Sequence, residues 1–195
     1  VLFRSRGYNF SDDNASSGKQ TSFENTVPTS RGSYNTSDLA NSWISQYAAG
    51  NWNFAWVRKW NVMIDKLEKY KSVLDEETYN HWMGVARFFR AYSYMQLVRH
   101  FAKAYNASTA ASDLAVPLVL RYDQKAKPSR ASVKAIYDQI KADLDSASKD
   151  LANVPGKIGS TTVTIDAVNM MYARYYLDTK DYNNAAIYAL KVINS

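Results

Sequence analysis

The stretch that decides the fold is HWMGVARFFRAYSYMQLVRHF, residues 81–101. Its apolar side chains recur with a period near 3.6 residues, which predicts an α-helix. They form two stripes, and a helix with two apolar stripes is buried on more than one side. One stripe contains Trp82, Val85, Phe89 and Tyr92, and the other contains Phe88, Ala91, Met95 and Val98. We therefore predict a central helix wrapped by other helices.

Three arginines lie in this stretch, at Arg87, Arg90 and Arg99. Their long aliphatic stems can cover apolar neighbours while the guanidinium heads reach outward. Because a guanidinium is always ionised in proteins, each head needs water or a carboxylate. We therefore expect the guanidinium heads of all three arginines to reach water or a carboxylate from within the helix.

The same stretch resembles the signature GEARFLRAYYYFxLVRxFG of the SusD/RagB family. In that family a proline–leucine step follows the signature, as Pro117 and Leu118 follow here. The residues that carry the resemblance are Gly84, Ala86, Arg87, Phe88, Phe89, Arg90, Ala91, Tyr92, Tyr94, Leu97, Val98, Arg99 and Phe101. The resemblance implies a surface lipoprotein of the Gram-negative outer membrane that captures glycans or peptides for a SusC-like TonB-dependent transporter. It also implies a membrane contact only through a lipid anchor outside this chain.

Two further stretches extend the resemblance. Residues 54–67 are similar to the family helix YxxIxxANxIIxxI, although Trp60 replaces a small residue. Residues 130–147 are similar to RxSVxEVYxxIxxDLxxA, although Ala135 replaces the glutamate that would complete a capping box. Near the C-terminus, the spacing of Tyr176, Ala185 and Ala189 approximates that of a tetratricopeptide hairpin.

Composition limits the possible functions. The 195 residues are 46% hydrophobic and 22% charged, which describes a globular chain with one sizeable core or part of a larger one. The net charge of +6 is spread along the chain, so nucleic acid is not an expected partner. There is no cysteine and there are two histidines, which excludes disulfides and disfavours a zinc site. We expect no cofactor, and no apolar run approaches the ~20 residues needed to span a bilayer.

The chain divides into three predicted parts. Residues 1–5, VLFRS, are what translation of a common sequencing-adapter read would give, so we expect them to be an artefact. Residues 6–51 are polar and predict an irregular loop region with one short helix at 37–49. Residues 52–195 predict tetratricopeptide-like helical repeats, and the chain reads as an internal fragment without its C-terminal part. A solenoid helix without its next repeat should expose Ile187, Val192 or Ile193.

The predicted fold class is all-α, a tetratricopeptide-like array of helical hairpins with long irregular N-terminal loops. The predicted helices of the repeat region are 52–71, 75–104, 130–153, 165–179 and 182–194. Ser132 and Thr164 are the expected N-caps, and Pro155 with Gly156 is expected to end the predicted helix 130–153. This helix shows the clearest amphipathic spacing, and its predicted inward residues are Val133, Tyr137, Ile140, Leu144, Ala147 and Leu151. The apolar segment 118–120 is brief and follows proline, so we expect an extended stretch and no sheet.

No catalytic constellation emerges from the residues. His81 and His100 lie on one predicted helix, about 28 Å apart at about 1.5 Å per residue, so they cannot share a site. Asp143 and Asp145 point in different directions on another helix and are expected to lie on a solvated face. The sequence contains no Gly-rich phosphate loop, no GxSxG and no HExxH. We predict that the protein is not an enzyme.

The segment before the first repeat supplies the candidate ligand-binding residues. Sugars stack on flat aromatic faces and bond to amides and guanidinium groups. The candidates are Arg31, Tyr34, Asn35, Trp43, Tyr47, Asn51 and Trp52. Trp43 and Trp52 could equally be core residues. The alternative function is a tetratricopeptide-type adaptor, which would grip a peptide carboxylate with Lys, Arg and Asn on the concave faces of its repeats.

Overall fold

Helices dominate the computed structural model, which describes residues 56–123, 126, 128–157 and 159–195. In these residues the α-helices are α1 (Trp56–Lys69), α2 (Glu76–Phe101), α3 (Val133–Asp150), α4 (Ile165–Asp178) and α5 (Tyr182–Ile193). Each packs mainly on its neighbours in the sequence, and α2 also contacts α4. The predicted all-α class is confirmed, whereas the predicted helix at 37–49 lies outside the described residues.

The helices begin where side chains can satisfy their first backbone N–H groups. Ser132 accepts from the N–H of Ala135 and Thr164 from that of Ala167, so both predicted N-caps are confirmed. The predicted stop of α3 was wrong, because α3 ends at Asp150, before the proline. Leu151 is fully buried but leaves the helical conformation, with φ −105° and ψ 12°. The chain therefore turns at Leu151.

The central helix α2 lies against α1, α3 and α4, as its two apolar stripes predict. The stripe from Phe88 to Val98 is buried throughout. The other stripe is covered where Trp60 of α1 stacks on Phe89, with ring centroids 4.7 Å apart. Trp60 thus fills the place of a small residue by pairing with an aromatic ring of α2. The predicted burial was wrong for Trp82, which is 46% exposed. The Trp60 ring covers Phe89, two helical turns after Trp82, and does not cover Trp82 itself.

The inward residues of α3 are confirmed, since all six predicted positions are buried. Ile136 is also buried, so α3 presents a broad apolar face to α2 and α4. Gly84 of α2 lies against the C-terminal end of α3. A Cβ atom added there would lie 2.6 Å from Cγ of Leu151 and 2.9 Å from Cβ of Asp150. The glycine therefore allows this close helix contact.

Substitution of Gly84 tests the importance of this contact. Gly84→Val should destabilise the protein by about 1 to 3 kcal/mol, because the added atoms overpack the α2–α3 seam. Urea denaturation measures the change in the free energy of unfolding. In a Leu151→Ala background the same substitution should cost less, since the clashing side chain is gone. An equal loss in the free energy of unfolding in both backgrounds would show that contact with the Leu151 side chain is not the reason for glycine at position 84.

A two-stranded antiparallel sheet connects α2 and α3, and the sequence analysis missed it. It pairs β1 (Leu114–Pro117) with β2 (Arg130–Ser132). The Arg130 side chain adds a contact between the strands, because its Nη2 donates to the carbonyl of Leu114 at 2.9 Å. Residues 118–120 lie outside the sheet, as predicted.

The last two helices form a hairpin whose turn places Lys180 at φ 65°. Ala185 is buried at the helix contact, as expected of a small residue in a tetratricopeptide-like hairpin. Ile187 is 51% exposed and Ile193 is 75% exposed, which confirms the predicted exposure for these two residues. Val192 is half-buried. The outward side of α5 therefore carries an apolar stripe.

Candidate functional site

The ligand-binding residues predicted from the sequence lie outside the described part of the chain. They are Arg31, Tyr34, Asn35, Trp43, Tyr47, Asn51 and Trp52. The structure neither brings them together nor separates them, so they remain predictions. The described residues form the helices that come after this segment in the sequence. They also contain other polar and aromatic groups that could contact a ligand.

The three arginines of α2 each reach an aspartate on another helix. Arg87 pairs with Asp150 at 2.8 Å, Arg90 with Asp143 at 2.6 Å and Arg99 with Asp178 at 2.8 Å. We expected each guanidinium head to contact water or a carboxylate, and all three contact a carboxylate. The sequence could not identify these partners, because each aspartate lies more than fifty positions away on α3 or α4.

The ion pair between Arg90 and Asp143 is buried. Arg90 donates from Nε at 2.8 Å and from Nη2 at 2.6 Å to the two carboxylate oxygens. Its Nη1 donates to Oδ1 of Asn61 at 3.1 Å. The expectation that Asp143 lies on a solvated face was wrong, since the residue is only 3% exposed. The reason is that the buried guanidinium of Arg90 needs a carboxylate partner inside the protein, and Asp143 supplies it.

The same polar group fixes the backbone of Val119, which follows β1. The Tyr94 hydroxyl donates to the carbonyl of Val119 and accepts from its N–H, both at 2.7 Å. Nδ2 of Asn61 also donates to that carbonyl at 2.8 Å. Val119, in the extended segment that follows β1, therefore has both backbone groups satisfied by side chains of α1 and α2. These buried residues hold the loop in place.

A tyrosine cluster, formed by Tyr172, Tyr176 and Tyr188, joins α4 to α5. Tyr172 and Tyr188 stack with ring centroids 4.5 Å apart, and Tyr176 and Tyr188 do so at 5.5 Å. Nζ of Lys191 lies 4.3 Å from the centroid of Tyr188, which is cation–π distance. The Tyr172 hydroxyl donates to Asp145 at 2.6 Å. The ring faces in this cluster are engaged with each other and with lysine, so its role is packing.

Tyr175 lies beside this cluster and is buried. Burial, with a contribution from the nearby Tyr105, raises the pKa of Tyr175 to about 12. An unfolded tyrosine has a pKa of about 10. A raised folded-state pKa stabilises the fold fully below the unfolded value, and this contribution is lost as pH rises through the folded value.

The free energy of unfolding should therefore fall between about pH 10 and about pH 12. Tyr175→Phe removes the ionisable group, so the variant should show a shallower fall. Tyr182→Phe is the matched control, because it removes the same hydroxyl group from a ring that is 64% exposed. Urea denaturation at a series of alkaline pH values measures both. The same slope in wild type and Tyr175→Phe would contradict the assignment.

An exposed tryptophan lies where the start of α2 meets the loop between α3 and α4. The Trp82 ring packs against the imidazole of His81 in an edge-to-face arrangement, with centroids 5.2 Å apart. Nε2 of His81 lies 3.1 Å from Oγ1 of Thr162. We call Trp82, His81 and Thr162 the Trp82 corner. No sequence periodicity could identify it, because Thr162 comes from a distant loop.

The histidines and the paired aspartates of the described ranges contact separate partners. His100 contacts the carbonyl of Gln96 through Nδ1 at 2.6 Å, far along α2 from His81. Asp145 pairs with Lys141 at 2.8 Å, while Asp143 serves Arg90. No group of three or more His, Cys, Asp or Glu side chains among those residues could hold a metal ion. None of the described helices is long and apolar enough to cross a membrane.

Solved structures with the same architecture come from the SusD superfamily. One from Bacteroides thetaiotaomicron is 27% identical with a TM-score of 0.65, and the match covers 77% of this chain and 31% of that protein. A SusD-like carbohydrate binding protein from Bacteroides vulgatus is 18% identical, with a TM-score of 0.64 and coverage of 80% and 31%. A laminarin binding SusD-like protein is 19% identical, with a TM-score of 0.54 and coverage of 80% and 29%. The last two show the fold alone.

The matched region is thus under a third of the length of each of these proteins. No curated protein gives a significant match. A family model for SusD-like proteins, described as starch-binding and associating with the outer membrane, matches residues 6–177. That range includes the signature stretch of α2 and the helices that pack around it. Because the match extends over most of the sequence, the chain belongs to this SusD-like family.

Proposed function

We propose that the protein is a non-catalytic, surface-exposed lipoprotein that binds glycans and passes them to a SusC-like TonB-dependent transporter. The observation that carries this proposal is the family match over residues 6–177, whose description names both starch binding and the outer membrane. The starch named in that description makes a glucan the first ligand to test.

The proposed ligand surface is the set of aromatic, amide and guanidinium residues between Arg31 and Trp52. Trp43 and Trp52 would supply flat faces for the C–H surfaces of sugar rings. Tyr34 and Tyr47 would add aromatic contacts. Arg31 and Asn35 would donate hydrogen bonds to sugar hydroxyls.

The chemistry of the described residues supports binding without catalysis. Asp143, Asp150 and Asp178 each face an arginine, so these carboxylates are committed to joining helices. General acid–base catalysis instead needs a titratable group in reach of the substrate. A helical array with its carboxylates used in this way is suited to presenting a surface.

Affinity electrophoresis tests the proposed glycan binding. The full-length protein should migrate more slowly in native gels that contain starch or laminarin than in gels without polysaccharide. Serum albumin run in the same gels controls for sieving. Equal relative mobility in all gels, over a panel that also includes mannan and xylan, would contradict glycan binding.

The adaptor alternative rests on the tetratricopeptide-like hairpin of α4 and α5. Two lysines, Lys141 and Lys191, lie over the rings of Tyr172 and Tyr188 in the tyrosine cluster of this hairpin. Lys141 already forms a salt bridge with Asp145, which reduces its capacity to hold a peptide carboxylate. Saturable binding of a peptide library, lost after Lys191→Ala and without any glycan binding, would favour the adaptor.

The proposed transporter partner and lipid anchor have their own test. A gene for a TonB-dependent transporter should lie immediately upstream of the full-length gene. The two proteins should also co-purify from detergent-solubilised outer membranes. The full-length protein should incorporate labelled palmitate through its anchor. Recovery of the full-length protein from the periplasm, without lipid and without the transporter, would contradict this part of the proposal.

A further inference from the structure

The Trp82 corner has the features of a carbohydrate contact that is separate from the N-terminal candidates. Its central residue is an indole that is 46% exposed on a regular helix. Exposing such a large apolar ring to water is unfavourable, and a sugar ring offers a C–H surface that covers it well. Trp60, by contrast, has its ring face covered by Phe89.

The indole is presented from a fixed position. The Asp75 side chain caps α2 by accepting from the N–H of Thr78 at 2.8 Å, so the turns that carry Trp82 are held from their start. The contact between His81 and Thr162 then joins α2 to the α3–α4 loop at 3.1 Å. A rigid aromatic platform loses little conformational entropy when a ligand binds, which favours affinity.

The loop that contacts His81 carries several hydroxyl groups. Ser160 Oγ donates to the carbonyl of Thr162 at 3.1 Å and accepts from its N–H at 3.2 Å, which shapes a tight turn. Thr161, between them, is exposed. An indole, an imidazole and hydroxyls match the alternating C–H faces and hydroxyls of a neutral sugar.

We propose that Trp82, His81 and Thr162 form a second site for neutral oligosaccharides, on the helical repeats. This inference rests on the proposed glycan-binding function and adds a site to it. Trp82 would stack on a pyranose ring, while His81 and Thr162 would exchange hydrogen bonds with its hydroxyls. The site needs no residue from the segment that contains Trp43 and Trp52.

Fluorine NMR of the full-length protein labelled with 5-fluorotryptophan tests the second site. The Trp82 signal is assigned by its loss in Trp82→Phe. Maltoheptaose or laminarihexaose should shift this signal saturably, and the shift should persist with a dissociation constant changed by less than about twofold in the Trp43→Ala, Trp52→Ala double variant. Thr162→Val should weaken binding measured at Trp82 by about 5- to 10-fold, as loss of a hydrogen bond does.

Tyr182→Ala is the matched control, since it removes an exposed aromatic ring elsewhere and should leave the Trp82 titration unchanged. If sugars shift the signals of Trp43 or Trp52 and leave that of Trp82 in place, the second site is wrong and the proposed function stands. If no tryptophan signal moves with any oligosaccharide, both are wrong. A Trp82 shift that Thr162→Val leaves unaltered would overturn the assigned hydrogen-bonding residues.

Discussion

Arg90→Met is expected to destabilise the protein by about 3 to 5 kcal/mol, because it leaves the Asp143 carboxylate buried without its partner. Asp143 accepts two hydrogen bonds from Arg90 and is only 3% exposed. Asn61 would also lose the donor at 3.1 Å. Urea denaturation of the full-length protein measures the loss as a change in the free energy of unfolding.

Two further variants separate burial of charge from loss of packing. Arg87→Met removes the same chemical group from the same helix, but its pair with Asp150 is partly exposed and should contribute about 1 kcal/mol or less. The double variant Arg90→Met, Asp143→Leu should recover most of the loss, because no unpaired charge remains. An equal cost for Arg87→Met and Arg90→Met would contradict this explanation.

Trp43→Ala or Trp52→Ala is expected to weaken glycan binding by about 1 to 3 kcal/mol while leaving the melting temperature nearly unchanged. The reason is that a ligand platform is exposed, so its removal leaves no cavity. A core tryptophan behaves in the opposite way, with a stability loss of about 3 to 5 kcal/mol and binding lost only as the protein unfolds. Calorimetric titration and thermal melting of each variant separate the two cases.

A lowered melting temperature with intact affinity below that temperature would assign the tryptophan to the core. Unchanged affinity for every bound glycan in both variants would remove these residues from the site. Trp60→Phe is a useful comparison, because Trp60 stacks on Phe89 between α1 and α2. It should lower stability and leave glycan affinity unchanged.

Local chemistry explains which parts of the fold the sequence predicts. The N-caps at Ser132 and Thr164 depend on residues within three positions, and the buried face of α3 depends on a regular spacing. Both kinds of signal lie within a short window of sequence. The exposure of Ile187 and Ile193 was predicted on a different ground, namely that a solenoid helix without its next repeat has no cover for its apolar side chains.

Distant contacts explain what the sequence did not predict. Asp143 looks like an ordinary surface carboxylate until Arg90, 53 positions away, is placed beside it. The β1–β2 pair joins two segments separated by a loop, and the Arg130 side chain bonds to backbone carbonyls of the other strand. Trp82 fits an apolar stripe, yet the covering ring of Trp60 lies over Phe89. Periodicity reports the face of a helix but not how far along that face a neighbour extends.

The candidate ligand residues show a further limit of local reasoning. Trp43 and Trp52 have the side chains that stack on sugars, and tryptophan is equally suited to a core. Residue type alone cannot separate these roles. The family match supports glycan binding for the whole protein without assigning individual contacts.

A crystal structure of the full-length protein soaked with maltoheptaose or laminarihexaose is the most direct test of the proposed ligand surface. Sugar rings should stack on Trp43 or Trp52, with hydrogen bonds from Arg31 or Asn35. Sugar density on a surface that contains none of the residues between Arg31 and Trp52 would contradict the proposed site. Absence of sugar, at concentrations that saturate a laminarin binding SusD-like protein, would contradict the proposed ligand.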